Sequence, residues 1–164
     1  MVKKDNLDFI VVGIQKSGTT MLSSYLSSSK EIFIPKEKEI PFFLDESLQR
    51  NGWNDFIYKY FKYANNNQLW GTVTPQYLMY PSSLSKIYKK FPKIKIIVIY
   101  RDPIKRLMSH FDMTKRFHKE SRDINAVISD QLKNINKLRN SPYNSPLDKF
   151  LSSGEYFRLN QYLK

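Results

Sequence analysis

The chain has 164 residues, 41% of them apolar, with 27 Lys and Arg against 15 Asp and Glu for a formal net charge of +12. That length and apolar content suit one domain, spanning 1–164, with a real core, and they argue against disorder. With no cysteine and only two histidines, disulfides, thiolate metal sites, cysteine nucleophiles and a histidine-only zinc site are excluded.

No apolar run approaches the ~18 residues of a membrane span. Met1-Val-Lys-Lys-Asp-Asn6 leads into the first apolar run without a signal-peptide pattern, so the expectation is a soluble, cytoplasmic protein. The positive charge favours polyanions such as nucleotides, acidic glycans, nucleic acid or anionic membrane. Lys, Asn and Ile are abundant throughout, however, so only charges placed in motifs carry weight.

Asp8 to Gly13 is a continuous apolar run, the pattern of a buried parallel strand. The loop Ile14-Gln-Lys-Ser-Gly18 follows, and Thr19 to Ser28 reads as a helix. Strand, glycine-bearing loop and helix N-terminus together make a phosphate cradle, in which backbone N–H groups and the helix dipole face an anion. In the nucleotide-hydrolysing P-loop, G-x-x-x-x-G-K-[ST], the lysine follows the second glycine. Here Gly13 and Gly18 keep the spacing, but Thr19 stands at the lysine position and Lys16 lies two residues before Gly18. The loop suits a phosphate-like group without Mg-ATP hydrolysis; the bland alternative is a strand–turn–helix corner.

Glu31 to Pro35 reads as a short extended piece and Pro35 to Phe43 as a loop, in which Glu37 and Glu39 face the same side if extended. Asn54 to Tyr63 fits a helix with Phe56, Ile57, Tyr60 and Phe61 on its apolar face. Tyr58, Tyr60, Phe61 and Tyr63 read as packing rather than a sugar-stacking platform, while Trp53 and Trp70 stay open. Leu69 to Val73 is a short strand. Pro81 to Phe91 is a helix capped by Ser82 or Ser83 and broken by Pro92.

Ile94 to Tyr100 is the clearest strand. Arg101-Asp102-Pro103 turns into a helix with Asp102 as N-cap and Pro103 at its first position. Arg101, at the strand's carboxyl end, and Ser109, two turns into the helix, offer a guanidinium fork and a hydroxyl suited to a second phosphate. His110 reads as a helix-surface residue, and His118 as part of a solvated basic face. Asp123 to Leu138 is helical, followed by a loop with Pro142 and Pro146 and a further helix from Ser153 or Gly154. This strand–helix alternation predicts an α/β fold: a three-layer, P-loop-like parallel sheet flanked by helices, mostly helical toward the C-terminus, with ligands at the carboxyl ends of the strands.

The Gly13–Thr20 loop and Arg101-Asp-Pro-Ile-Lys-Arg-Leu-Met-Ser109 together resemble the two nucleotide-binding motifs of sulfotransferases that use 3′-phosphoadenosine 5′-phosphosulfate (PAPS). Lys38-Glu-Ile-Pro-Phe-Phe43 resembles the K-E-x-x-F-F segment of the heparan-sulfate-type and bacterial carbohydrate sulfotransferases. Gly71-Thr-Val-Thr-Pro-Gln-Tyr77 resembles their G-x-x-[ST]-P-x-Y segment. Gly154-Glu-Tyr-Phe157 through Leu163 resembles the helix before that family's next core strand.

The resemblance implies that Lys16, Ser17, Gly18, Thr19 and Thr20 hold the 5′-phosphosulfate and that Arg101 and Ser109 hold the 3′-phosphate. It makes Glu39 the general base and Lys16 a catalytic cation, with no metal. It implies sulfuryl transfer to a hydroxyl of a carbohydrate, possibly an acidic glycan, or of a small metabolite, leaving adenosine 3′,5′-bisphosphate. Val73 stands where some heparan-sulfate enzymes carry lysine, which points away from a heparan-like acceptor. The chain ends at Lys164, before the strand and closing loop expected in the family, so the sulfotransferase-like domain is expected to be incomplete at its C-terminus. The competing readings are a P-loop small-molecule kinase and a basic nucleic-acid-binding module, the latter without a recognisable fold motif.

Overall fold

The computed structural model of the chain describes residues 4–117 and 120–133. They fall into two units divided between Tyr100 and Arg101. The first unit holds a parallel sheet of four strands: β1 (Phe9–Gly13), β2 (Ile32–Phe33), β3 (Leu69–Val73) and β4 (Lys95–Val98), in the order β2-β3-β1-β4. The parallel sheet with flanking helices agrees with the α/β fold expected from the alternation of apolar runs and helical segments. Phe9 is in register with Gly71 on one side and Lys95 on the other. Every residue of β1 is buried, which is why its sequence is an unbroken apolar run.

Two glycines are fixed by close approach. A Cβ on Gly71 would lie 2.1 Å from the Phe9 ring, and a Cβ on Gly13 would lie 2.8 Å from the Leu78 side chain. The β1–β4 pairing continues past the strands, since Ile99 N–H donates to Gly13 O at 2.8 Å and Ile14 N–H donates to Ile99 O at 3.0 Å. The loop after β1 is thus held on a strand with neighbours on both sides, where strand order departs from chain order. That is the position at which open α/β sheets bind ligands.

Four helices belong to this unit: α1 (Thr19–Ser27), α2 (Glu46–Asn51), α3 (Trp53–Phe61) and α4 (Pro81–Lys90). The main core lies beside the sheet and is strongly aromatic. Phe42 packs edge-on against Phe43, Trp53 and Phe56, with centroids 5.0–5.2 Å apart. Trp70 stacks on Phe61 at 5.2 Å and donates its indole N–H to Asn65 O at 2.8 Å. Trp53 and Trp70, open in the sequence, are both core aromatics. Phe61 is fully buried and Tyr60 packs partly, whereas Tyr58 and Tyr63 are exposed.

Several details differ from the sequence reading. α2 was not expected. It starts where Asp45 accepts hydrogen bonds from Ser47 N–H (2.8 Å) and Leu48 N–H (3.1 Å), and stops at Gly52 (φ 88°). Its six residues are too few to display a helical apolar period. α4 begins at Pro81 after Tyr80, with no side-chain cap. Ser83, expected as a cap, is buried and donates backward to Tyr77 O and Tyr80 O, both at 2.8 Å, bracing a 3-10 turn at Tyr77–Met79. β4 is shorter than the apolar run from Ile94 to Tyr100, and Ile96 stays exposed.

The second unit contains α5 (Pro103–Arg116) and α6 (Ile124–Lys133). Asp102 caps α5 as expected, accepting from Lys105 N–H at 2.8 Å. Leu107 and Phe111 of α5 and Val127 of α6 form a small core. His110 is buried, not on the surface, because it lies between Leu107 and Thr114 on the buried stripe of α5. His118, residues 134–138 of the helix expected to reach Leu138, the Pro142–Pro146 loop and the segment from Ser153 lie outside the described residues.

Candidate active site

The first component is the loop from Ile14 to Gly18. Lys16 (φ 70°) and Gly18 (φ 98°) both take left-handed backbone conformations. Left-handed residues of this kind can turn backbone N–H groups toward an anion; Ser17 N–H itself donates to Ile14 O at 3.1 Å. Gly18 is the N-cap of α1, and nothing lies within 4 Å of the Cβ it lacks. No side chain caps α1, and its first turn carries no acidic residue, so the positive end of the helix dipole is not neutralised locally. Ser17 Oγ is buried without a hydrogen-bond partner, and so is Gln15 Oε1. A buried hydroxyl left unsatisfied at a helix N-terminus fits an anion, to which it would donate. Lys16, Ser17 and Gly18 lie in this loop, and Thr19 and Thr20 open α1 directly after it.

The second component is the loop carrying Glu39. Glu39 has φ 62°, so Glu37 and Glu39 are not two residues of an extended strand sharing a side. The turn separates them and leaves Glu39 half-buried. Its carboxylate is held on both oxygens: Gln76 Nε2 donates to Oε2 at 2.6 Å, and Lys38 Nζ lies 3.2 Å from Oε1. The Lys38 ammonium also donates to Thr20 Oγ1. Lys38 therefore ties the first turn of α1 directly to Glu39.

The chain holds this loop by its carbonyls and rings. Ile40 O accepts from Thr74 Oγ1 and from the Tyr77 hydroxyl, each at 3.1 Å, and the Tyr77 hydroxyl accepts from Phe43 N–H at 3.3 Å. Burial pushes the Tyr77 phenol well above its ordinary pKa, so it stays a neutral donor. Phe42 and Phe43 anchor the other end in the aromatic core. The segment Gly71–Tyr77 thus positions Glu39 through three side chains, Thr74, Gln76 and Tyr77.

Lys38 and Gln76 lie within the Lys38–Phe43 and Gly71–Tyr77 motifs, whose sequence alone points to no role for either. The signal available was their place in the motifs: Lys38 adjoins Glu39, and Gln76 lies between the Thr74 and Tyr77 positions. In the second unit, Arg101 is exposed immediately before the Asp102 cap, and Ser109 is half-buried on α5, seven residues beyond that cap. That spacing returns Ser109 to the same helical face as the cap. Among the described residues no group of three or more His, Asp or Glu is arranged to hold a metal ion.

A glycine-bearing loop between a central parallel strand and an uncapped helix N-terminus, tied through Lys38 to a carboxylate held by Gln76, is set in a parallel α/β sheet. The chain belongs to the sulfotransferase domain family, whose model matches residues 6–163 across both units. Over 117 residues it is 31% identical to the membrane-associated sulfotransferase kil1 of Dictyostelium discoideum, a match covering 70% of this chain and 24% of that protein. The chain thus spans about a quarter of the length of that curated relative. The crystal structure of a sulfotransferase from Alicyclobacillus acidocaldarius superposes with a TM-score of 0.67 at 25% identity, covering 96% of this chain and 68% of that one. No helix among the described residues is long and apolar enough to cross a membrane.

Proposed function

We propose that the chain carries out PAPS-dependent sulfuryl transfer to a hydroxyl acceptor. One observation supports this reading above the rest: Lys38 joins Thr20, in the first turn of the anion-binding helix, to the Glu39 carboxylate. A nest for the leaving phosphate and a base for the incoming hydroxyl thereby belong to one hydrogen-bonded unit.

In this reading Glu39 takes the acceptor hydroxyl proton as the acceptor oxygen–sulfur bond forms. The bond from sulfur to the bridging phosphate oxygen breaks, and charge gathers on the leaving phosphate. Lys16, Ser17 and the N–H groups at the start of α1 stabilise that charge, because they are in place before the reaction. Proton removal by a positioned carboxylate is worth roughly 10²–10⁴-fold in rate. Lys38 and Gln76 keep the Glu39 carboxylate oriented. Arg101 and Ser109 take the 3′-phosphate, an assignment supported by the order of the motifs along the chain.

Titration calorimetry with adenosine 3′,5′-bisphosphate tests the donor half. Wild-type chain binds, and Lys16→Ala and Arg101→Ala each weaken binding at least about tenfold, the scale of one lost charge-assisted contact. Binding that survives both changes overturns the assignment. Glu39→Gln retains nucleotide binding and loses transfer; full transfer in that variant removes Glu39 from the base role.

A further inference from the structure

Lys38 sits where the local electrostatics disfavour a cation. Its ammonium donates to Thr20 Oγ1, in the first turn of α1. That turn is the positive end of a helix dipole, which favours anions. No acidic residue of the turn offsets it. Glu39 supplies the counter-charge, with Oε1 3.2 Å from Lys38 Nζ. In an extended chain the side chains of adjacent residues point to opposite sides. Here Glu39 takes a left-handed backbone (φ 62°) and the two charges meet.

The two partners of the Glu39 carboxylate differ in their freedom to move. Gln76 donates to Oε2 at 2.6 Å, is only 7% exposed, and belongs to the segment pinned to β1 by the bond from Thr74 N–H to Val11 O. The Lys38 side chain is 29% exposed and carries its ammonium on a flexible four-carbon stem. Beside Thr20, the anion loop offers the buried, unsatisfied Ser17 hydroxyl and the uncapped start of α1. An anion bound there competes with Glu39 for one ammonium, and a phosphosulfate brings two negative charges against the single charge of a carboxylate.

We infer that Lys38 is a charge switch between donor and base. In the empty site Glu39 is the counter-ion of Lys38. When the donor's 5′-phosphosulfate occupies the loop, Lys38 turns from Oε1 to that anion, and Gln76 keeps the carboxylate in place. Oε1 is then open to the acceptor hydroxyl, so the base is released only once the donor is bound. The inference rests on the PAPS reading of the loop; it adds a contact from Lys38 to the donor and a competition that the reading alone does not require.

Calorimetry on the full 164-residue chain uses adenosine 3′,5′-bisphosphate as the probe. Lys38→Gln weakens binding about tenfold, whereas Lys38→Arg, which keeps the charge, stays within about threefold of wild type. Glu39→Gln tightens binding about threefold, because no carboxylate holds the ammonium back and the binding-competent fraction rises. Glu37→Gln removes an equal charge at an exposed position of the same loop and changes binding by less than about 1.5-fold. In NMR spectra of the lysine ammonium groups, the Lys38 resonance, identified by its loss in Lys38→Arg, shifts on saturation with nucleotide. A lysine that only braces the loop leaves that resonance in place. Wild-type affinity in Lys38→Gln, a Glu39→Gln variant no tighter than Glu37→Gln, or an unmoved resonance in the nucleotide-bound chain each overturn the switch and leave the donor reading standing. A wild-type chain that binds no nucleotide overturns the donor reading and the switch with it.

Discussion

Gln76 Nε2 donates to Glu39 Oε2 at 2.6 Å, and this bond fixes the direction of a carboxylate whose own backbone is in the left-handed region. Glu39 lies on a loop, where orientation is not set by a regular backbone ladder. Gln76 comes from the turn after β3, which is pinned by Thr74 N–H donating to Val11 O at 2.9 Å. The sheet therefore orients the proposed base through one amide. Gln76→Ala is expected to lower kcat about tenfold, part of the 10²–10⁴-fold that a positioned base supplies. The donor KM stays unchanged, because the nest is untouched. A raised donor KM at constant kcat would show that Gln76 serves the nucleotide instead.

Gly71 tests the packing beneath the site. Its absent Cβ would meet the Phe9 ring at 2.1–2.5 Å, and Phe9 is itself buried in β1. The ring lies in close-packed surroundings, so Gly71→Ala forces backbone shifts that cost about 1–3 kcal/mol. Urea unfolding measures the loss. Gly71→Ala with wild-type stability would mean that the ring relocates freely.

Much of this arrangement was legible in the sequence because its signals are local. The all-apolar run ending at Gly13 declared a buried parallel strand, and Asp102-Pro103 declared a helix start; β1 and α5 sit there. The residues of the anion loop were legible for the same reason, being consecutive. What the sequence did not disclose were contacts across long separations. The bonds from Lys38 to Thr20 and from Gln76 to Glu39 link residues 18 and 37 positions apart. His110 was misjudged because its burial follows from the stripe that Leu107, Phe111 and Thr114 make, not from its own polarity. α2 escaped because its evidence was only a cap and a terminating glycine.

The cap of α2 gives a pH-dependent prediction. Asp45 is held below its ordinary pKa of 3.8, chiefly by the Ser47 hydroxyl and further by the Leu48 and Ser47 N–H groups. A depressed folded-state pKa contributes stability that is complete above the unfolded value and is lost as pH falls through the folded one. Asp45→Ala therefore costs about 1 kcal/mol near neutrality, the ordinary worth of an N-cap. The gap between variant and wild type narrows as pH falls below the ordinary carboxylate value of 3.8 and through the lowered folded-state one. Urea midpoints at neutral pH and at pH 2.5 measure it, and a gap that widens on acidification would contradict the cap assignment.

Tyr77 and Thr74 converge on one acceptor, the carbonyl of Ile40, so their removal is expected to be non-additive. Tyr77→Phe deletes the donor to Ile40 O and the acceptor for Phe43 N–H, leaving buried polar groups that cost about 1–3 kcal/mol. Thr74→Val alone costs about 1 kcal/mol, because the tyrosine still satisfies the carbonyl. In the double variant the Ile40 carbonyl, directly after Glu39, loses both side-chain donors. The double-mutant cycle should therefore return a coupling of about 0.5–3 kcal/mol beyond the sum of the single changes. Activity follows the same pattern if the clamp positions the base: each single variant keeps most of kcat, and the double variant loses it out of proportion to its thermal stability. Strict additivity in both stability and kcat would show that the two side chains act on independent parts of the fold rather than as one clamp on the Ile40 carbonyl.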